Sequence, residues 1–355
     1  MSNWMRTLEE TTAGAGQQAL RWKAADGELL VLPHGARVLG CDVPGADRNL
    51  LWHHPGMNDA ATAKGQLQKA GGELGGDRLW IAPEVAYFWA DLELARKAPF
   101  EHHTVPPEMD PGIWRIAERG EGHLRLEMRL ALTDHRNGRR IELDLERAFA
   151  ALDRPAGLDA ELKVCSWLTF NTATVRGGDD GAVAGLWDLC QMPVGGALYC
   201  PVAVPPNGPP REYYEPLRPE DVSWDDAAVR FAATAAHRIK MGLPPEQTTG
   251  RMGYYRRLEN GMASFIFRHF LPAPGGTYID LPRHSDATSG GDCLQAFCGD
   301  DPMDGFCEME HHEPALIAGT GPQRTSGTCI THAIVGPAES LTPVARRMLG
   351  GVNVT

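Results

Sequence analysis

Residues 124–145 read LRLEMRLALTDHRNGRRIELDL. Apolar and charged residues alternate strictly over residues 124–130, and this period of two is typical of a strand with one face in water. A similar run occupies residues 140–145. The pair Asn137-Gly138 lies between the two runs and predicts a two-residue hairpin turn, because both residue types tolerate a positive φ. This stretch therefore predicts two antiparallel strands joined by a turn.

The rest of the chain repeats this pattern of short runs that end at turn residues. The further strand candidates are residues 28–33, 36–40, 161–170, 262–270, 292–298, 305–311 and 326–333. The chain contains 40 glycines and 27 prolines, and a chain that turns so often is a poor candidate for a helical bundle. Three short helices are expected, at residues 61–69, 223–237 and 341–349. The sequence therefore predicts an all-β fold with a few short helices.

The proline-rich residues 201–219 are the main interruption of this pattern. We interpret them as a surface loop, since runs of proline and glycine mark turns and loops. Strand patterns on the two sides of this loop look alike. We therefore expect residues 1–355 to form a single domain.

Charge and composition exclude several classes of protein. Lys and Arg number 34 against 46 Asp and Glu, which gives a net charge of −12. Nucleic acids and anionic membranes attract basic patches, so neither is expected as a partner. No run approaches the roughly 18 apolar residues that span a bilayer, and the amino terminus lacks the apolar core of a signal peptide. Eight cysteines without a CxxC pair favour a cytoplasmic protein with reduced, buried thiols over a disulfide framework.

Common catalytic motifs are missing from the sequence. We find no GxGxxG after a strand, no GxxxxGK[ST], no HExxH and no GxSxG. Nucleotide-dependent chemistry, zincin hydrolysis and α/β-hydrolase chemistry are therefore disfavoured. No cofactor is expected.

The early segment 75–84, GGDRLWIAPE, is a candidate binding site. Arg78 and Glu84 offer charge, Trp80 offers a flat ring, and the paired glycines allow the backbone to approach a ligand closely. This combination suits sugars, whose C–H faces stack on aromatic rings while polar groups bind the hydroxyls. The alternative is a structural hairpin with Trp80 and Trp89 in the core.

The late segment 305–314, GFCEMEHHEP, is the second candidate. In a strand, Glu308, Glu310 and His312 share one face. Because such groups are costly to bury alone, they either face water on an edge strand or line a polar pocket. Carboxylates held close raise the pKa of one another, which suits a general base near neutral pH.

A metal site is the other alternative for this region, with ligands from Cys293, Cys298, Cys307, His311 and His312. Their spacing fits no common zinc pattern. No metal is therefore expected.

Weaker signals come from two further segments. In residues 186–191, LWDLCQ, the side chains of Asp188 and Gln191 lie near the large ring of Trp187, which is compatible with sugar recognition. Lys240 is bracketed by apolar residues, so it is either a cation inside a pocket or a side chain that reaches back to the surface. The histidine pairs 53–54 and 102–103 are typical of solvated or packed loops.

The order of these segments resembles the aldose 1-epimerase (galactose mutarotase) superfamily. The resemblance begins at residues 27–40, GELLVLPHGARVLG, continues with NLLW at residues 49–52, and extends through the three segments above, over residues 18–335. Each motif is weak alone, and the chain looks like a distant branch. The resemblance implies a β-supersandwich of two large antiparallel sheets with a carbohydrate cleft on the concave side.

The resemblance also implies a chemistry. In mutarotases a histidine protonates the ring oxygen, and a glutamate on a late strand takes the proton of the C1 hydroxyl. Glu310 or Glu308 matches that glutamate, and Glu310 is preferred. The segment that matches the histidine motif has Asp188 and Gln191 instead, so the acid is Asp188 or a loop histidine, namely His102, His103 or His284.

These observations predict a carbohydrate-active enzyme that epimerises a sugar or oligosaccharide at or near the anomeric carbon. The residues expected to bind it are Arg78, Trp80, Glu84, Trp187, Gln191 and Lys240. A lyase acting on a uronic acid is the alternative enzyme, because the same base with a cation such as Arg78 or Lys240 would serve it. A non-catalytic sugar-binding protein and a structural subunit stay open. The enzyme hypotheses require residues 75–84 and 305–314 to line one cavity.

Overall fold

The computed structural model of the chain describes residues 2–69, 73–97, 101–206, 208–285, 290–300 and 305–354. Most of the secondary structure in these ranges is β-strand. In chain order the strands are β1 (Leu20–Ala24), β2 (Gly27–Leu32), β3 (Arg37–Asp42), β4 (Asp77–Ala82), β5 (Arg115–Gly120), β6 (His123–Thr133), β7 (Arg140–Ala151), β8 (Lys163–Gly178), β9 (Val183–Pro193), β10 (Gly196–Pro201), β11 (Arg211–Glu212), β12 (Val222–Trp224), β13 (Ala228–Ala233), β14 (Ile239–Leu243), β15 (Arg251–Arg257), β16 (Met262–His269), β17 (Leu294–Cys298), β18 (Phe306–His312), β19 (Leu316–Ile317) and β20 (Arg324–Pro337). The helices are α1 (Asn3–Gly14), α2 (Ala60–Gln68), α3 (Glu84–Tyr87), α4 (Leu92–Lys97) and α5 (Ala338–Met348), with a short 3₁₀ helix at Pro55–Asn58.

Two antiparallel sheets contain all of these strands. The first sheet has the order β1-β2-β3-β4-β9-β18-β17-β14-β11, and β19 pairs with β9. The second sheet has the order β12-β13-β10-β15-β16-β20-β8-β7-β6-β5. Their inner faces pack together, so that Val38 and Met309 of the first sheet share one core with Phe149 and Trp167 of the second. The predicted all-β fold with a few short helices is confirmed.

The segment that predicted the fold forms the β6–β7 hairpin. Residues at alternate positions of β6 are buried, as the period of two predicted. The predicted two-residue turn is wrong, because the last pair is Thr133↔Arg140 and a longer loop connects the strands. Asp134 organises this loop by accepting a hydrogen bond from the backbone N–H of Arg136 at 2.9 Å. Only Gly138 of the predicted turn pair has a positive φ, at 73°.

Two of the three predicted helices are confirmed. α2 corresponds to residues 61–69, and Asp59 caps it by accepting a hydrogen bond from the backbone N–H of Thr62 at 3.0 Å. α5 corresponds to residues 341–349 and buries Leu341 and Val344 on the outer side of the second sheet.

The helix predicted at residues 223–237 is wrong, because this stretch forms β12, β13 and the turn between them. Asp225 accepts hydrogen bonds from the backbone N–H groups of Ala227 and Ala228 and makes this turn. The apolar residues after it are buried between β12 and β10. Strand pairing on both sides therefore outweighs the local helix signal.

The proline-rich residues 201–219, of which residue 207 lies outside the described ranges, carry the chain from β10 in the second sheet to β11 at the edge of the first. This connection places Tyr213 in a buried position beside β14.

All eight cysteines are buried and free. In the ranges that the structure describes, no helix combines the length and hydropathy needed to cross a bilayer.

Candidate active site

Five neighbouring strands of the first sheet, β4, β9, β18, β17 and β14, carry the candidate site. The register aligns Gln191, Glu308, Phe297 and Lys240 in one row across four of these strands. Glu310 and His312 follow Glu308 at every second residue of β18, so the three predicted residues share one face. Met309, which lies between Glu308 and Glu310 in β18, is part of the core between the two sheets. Glu308, Glu310 and the row of residues aligned with Glu308 therefore face outward, away from the second sheet.

A cavity of about 440 Å³ lies over this outward face. Its walls are aromatic and charged: Trp52, His54, Pro55, Glu73, Arg78, Trp80, Glu84, His103, Trp187, Tyr214, Arg238, Lys240, Phe297, Gly299, Asp300, Gly305, Phe306 and Glu308. Cavities of roughly 300–1,000 Å³ with a few converging polar groups are typical of small-molecule sites. We therefore take this cavity as the candidate active site.

Arg78 joins the early and the late segments inside the cavity. Its Nη2 lies 3.1 Å from Oε1 of Glu308 and 2.7 Å from Oε1 of Glu73. Its Cζ lies 3.9 Å from the centre of the Trp80 ring. Burial lowers the pKa of Arg78, but the carboxylates Glu73 and Glu308 raise it above its ordinary value. The requirement that residues 75–84 and 305–314 line one cavity is thus met.

Glu308 is the carboxyl group with the most unusual environment among the lining residues. Burial raises its pKa, Glu310 and Glu73 raise it further, and Arg78 opposes them, so that the pKa lies at about 8. A group with this pKa exchanges its proton near neutral pH, which is what a general acid or base requires.

Glu310, the preferred base, is fully buried and does not line the cavity. Its Oε2 accepts a hydrogen bond from Nε1 of Trp187 at 2.8 Å and lies 3.1 Å from Nζ of Lys240. Burial raises the pKa of Glu310. The placement therefore favours Glu308 over Glu310 as the group that touches a ligand.

Lys240 is a cation inside the pocket, and only 2% of its side chain is exposed. Its Nζ lies 3.5 Å from Oε2 of Glu84 and 4.3 Å from the centre of the Trp187 ring. Burial lowers its pKa, but Glu310 and Glu84 more than offset this effect and raise it. Lys240 therefore stays charged.

Glu84 stays ionised for the complementary reason. Its Oε1 accepts a hydrogen bond from the Tyr214 hydroxyl at 2.6 Å and lies 3.3 Å from Nε2 of His103. Burial raises the pKa of Glu84, but Lys240, His103 and Tyr214 lower it to about 2. Two carboxyl groups of one cavity, Glu84 and Glu308, thus have widely separated pKa values, which is typical of acid/base sites.

Of the three histidines predicted as candidate acids, one lines the cavity. His103 lines the cavity, whereas the exposed His102 beside it does not. His284 is also exposed and lies in a separate surface depression with Pro209 and Arg211. Neither His102 nor His284 therefore lines this cavity.

Asp188, a second predicted acid, faces the opposite side of the first sheet. Its Oδ2 accepts hydrogen bonds from Nη1 of Arg147 and Nδ2 of Asn171, both at 2.8 Å. Its Oδ1 binds Arg268. These partners belong to β7, β8 and β16 of the second sheet. Asp188 therefore does not line the cavity.

We call Asp77, Arg147, Asp188 and Arg268 the inter-sheet charge cluster. Arg147 binds both aspartates, and Nη2 of Arg268 lies 3.5 Å from Oδ2 of Asp77. The indole N–H of Trp167 donates to Oδ2 of Asp77 at 3.1 Å. All four charged side chains are at most 2% exposed.

The remaining predicted residues lie on the cavity side. Trp80 and Trp187 line the cavity. Gln191 is fully buried behind the lining, where its Nε2 donates to Oε1 of Glu73 at 2.8 Å. Sequence reasoning missed Glu73 and Tyr214, which complete the partners of Arg78 and Glu84.

No metal-binding group of three or more His, Cys, Asp or Glu residues occurs in the part of the chain that the structure describes.

Comparisons with known proteins support the fold. The sequence model of a family of unknown function, DUF6786, matches residues 20–355. A putative aldose 1-epimerase from Escherichia coli K12 superposes with a TM-score of 0.53 at 12% identity, over 90% of this chain and 99% of that one. A galactose 1-epimerase from Lactobacillus acidophilus NCFM gives 0.39 at 14% identity, over 90% and 95%. No curated protein matches the sequence. The likeness to the Escherichia coli protein shows that this chain has an aldose 1-epimerase-like fold.

Proposed function

The chain belongs to DUF6786, and we propose that it binds a sugar in the cavity and catalyses acid/base epimerisation at or next to the anomeric carbon. One observation carries this proposal: Glu308, with a pKa of about 8, lines an aromatic cavity beside Arg78. The aldose 1-epimerase-like fold supports the same class of ligand.

The cavity supplies both kinds of contact that a sugar needs. The rings of Trp80 and Trp187 lie at 76° to each other with centres 5.3 Å apart, and both line the cavity although they are only 6% and 1% exposed. Tyr214 also lines the cavity and is partly exposed, and sugar C–H faces pack on such rings. Arg78, Glu84 and His103 supply charged or polar atoms for hydroxyl groups, since all three line the same space.

In the proposed reaction, ionised Glu308 takes the proton of the C1 hydroxyl while His103 donates a proton to the ring oxygen. The C1–O5 bond breaks, and the open-chain aldehyde forms. Rotation about the C1–C2 bond and reversal of both proton transfers then close the ring on the other face. Arg78 stabilises the carboxylate form of Glu308 from 3.1 Å.

The lyase alternative has less support. It requires a cation free to neutralise the carboxylate of a uronic acid. Arg78 binds Glu73 and Glu308, and Lys240 binds Glu310 and Glu84. Because both predicted cations already have carboxylate partners, the cavity favours a neutral sugar.

The test is Glu308→Gln, which keeps the shape of the side chain and removes its proton chemistry. We expect anomer exchange of α-D-glucose and α-D-galactose, measured by NMR, to slow about 10²–10⁴-fold. Sugar affinity, measured by calorimetry, should change little. The wild type should show a dependence of kcat/KM on pH near 8 from the titration of Glu308, and this dependence should be absent in Glu308→Gln.

The matched control is Asp226→Asn, an exposed acidic residue outside the cavity, which should exchange anomers at the wild-type rate. Full activity of Glu308→Gln would exclude Glu308 as the base. Saturable binding with no exchange in the wild type would identify a sugar-binding protein. Absence of binding to any sugar would overturn the whole proposal.

A further inference from the structure

The cavity continues beyond the residues that the proposed reaction uses. Glu310, Glu308 and Phe306 occur at every second residue on one face of β18. Since a strand rises about 3.3 Å per residue, each step along this face is about 7 Å. Phe306 therefore lies about one sugar ring further along the cavity than Glu308.

Phe306 belongs to an aromatic surface that we call the outer wall, made of Trp52, Phe297 and Phe306. The ring centres of Trp52 and Phe306 are 4.7 Å apart, and those of Phe297 and Phe306 are 5.8 Å apart. Phe297 also contacts Tyr214 at 5.9 Å. The outer wall is thus continuous with the inner part of the cavity, where Tyr214 binds Glu84.

The outer wall is not part of the core between the sheets. Its strand neighbours Ala296, Cys298 and Cys307 fill that core, so Phe297 and Phe306 face the other way. Both phenylalanines are partly exposed and line the cavity.

Polar groups border the outer wall. Nη2 of Arg238 lies 2.6 Å from Oδ1 of Asp300, and both residues line the cavity. The rings of the outer wall are tilted to one another by 42° and 50°. A partly exposed aromatic ring with an adjacent ion pair offers stacking for a sugar ring and hydrogen bonds for its hydroxyls.

We infer that the site takes the reducing end of an oligosaccharide, with the terminal ring at Glu308 and the next ring stacked on the outer wall. The inference rests on the proposed function. A cavity of about 440 Å³ is larger than one hexose ring fills. Only the ring at Glu308 has a free anomeric hydroxyl, so the second ring is bound and does not react.

The experiment compares glucose and galactose with cellobiose, lactose and maltose by calorimetry. At least one disaccharide should bind the wild type about threefold to tenfold more tightly than either monosaccharide, as expected for one added stacking contact. Phe306→Ala should remove this advantage and leave monosaccharide affinity unchanged. Phe306→Leu, which keeps apolar volume, should lose most of it, because the flat ring is missing.

The matched control is Trp224→Ala, an exposed aromatic residue on β12 of the second sheet, which should bind all five sugars as the wild type does. Thermal unfolding identifies any variant that fails to fold. Equal affinity for monosaccharides and disaccharides would overturn the inference and leave the proposed function intact. Equal losses for both classes in the Phe306 variants would also overturn it. Absence of binding to all five sugars would instead refute the proposed function.

Discussion

The two faces of the first sheet carry charge clusters of similar composition in opposite settings. On β4, Asp77 joins the inter-sheet charge cluster and its neighbour Arg78 lines the cavity. On β9, Asp188 faces the second sheet and Trp187 faces the cavity. The types of residue therefore do not distinguish the two clusters.

Their surroundings do distinguish them. In the inter-sheet charge cluster, two arginines balance two aspartates with almost no exposure, so its charges stabilise one register of the sheets. On the cavity side, Glu308 adjoins an open volume and has a pKa of about 8. A perturbed pKa beside space for a ligand is a better guide to function than a buried ion pair.

The largest loss of stability is expected for Asp188→Ala, which removes one member of the inter-sheet charge cluster. This change leaves Arg147 and Arg268 with a buried positive charge and one carboxylate fewer. The free energy of unfolding should fall by about 3–5 kcal/mol, as measured by urea denaturation at pH 7. The exposed Asp226→Ala should stay within about 0.5 kcal/mol of the wild type. A loss below about 1 kcal/mol for Asp188→Ala would show that the cluster is not a structural element.

An effect of intermediate size is expected on the pH dependence of stability, because each face of the first sheet carries a carboxyl group with a raised pKa. Glu308 lies on the cavity face, and Glu313 lies on the inner face, where Gly327 leaves room for its carboxyl group. Burial raises the pKa of each from the ordinary 4.5 to about 8. Folding therefore favours their protonated forms, and this stabilisation is complete below about pH 4.5 and is lost as the pH rises to about 8.

The free energy of unfolding should accordingly decrease between pH 5 and pH 8. Glu308→Gln and Glu313→Gln should each flatten this decrease, as measured by urea denaturation across the pH range. Only Glu308→Gln should also affect anomer exchange directly. A variant with the full wild-type slope would show that its carboxyl group has an ordinary pKa.

The smallest effect is expected for Tyr214→Phe, which removes the hydroxyl that donates to Glu84 at 2.6 Å. The stability at pH 7 should fall by about 1.5 kcal/mol, as for a hydrogen bond to a charged group. The pKa of Glu84 is lowered to about 2, so its ionised form stabilises the fold above pH 4.5 and this contribution is lost as the pH falls to 2. The difference between variant and wild type should therefore shrink at low pH. A difference independent of pH would mean that packing of the ring, and not the hydrogen bond, is responsible.

The facing of side chains can be predicted from the sequence where one side of a strand is in contact with water. β6 alternates buried and accessible residues, so its period of two is visible in the amino acids. β9 is buried on both sides over nearly its whole length. A strand covered on both faces has no such alternation, so the sequence does not show which of the neighbours Trp187 and Asp188 faces the cavity. The candidacy of Asp188 as the acid rests on the position of its segment in the resemblance, which carries no information about this facing.

The missed residues depend on contacts between distant parts of the chain. Tyr214 follows β11, and only the pairing of β11 with β14 brings it near Glu84. Nothing in the composition of residues 201–219 indicates this. Glu84 and Arg78 were recognisable because their segment combines charges, glycines and a tryptophan within ten positions.

The alternation of Asp77 with Arg78 and of Asp188 with Trp187 has a consequence for how this protein can vary in length. Inserting or deleting one residue within β4 or β9 would turn each side chain beyond it to the opposite face. An aspartate would then enter the cavity, and an arginine or a tryptophan would enter the packed interior. We therefore expect homologous chains to keep the lengths of β4 and β9 and to vary in length in the connections, such as the proline-rich crossing between the sheets.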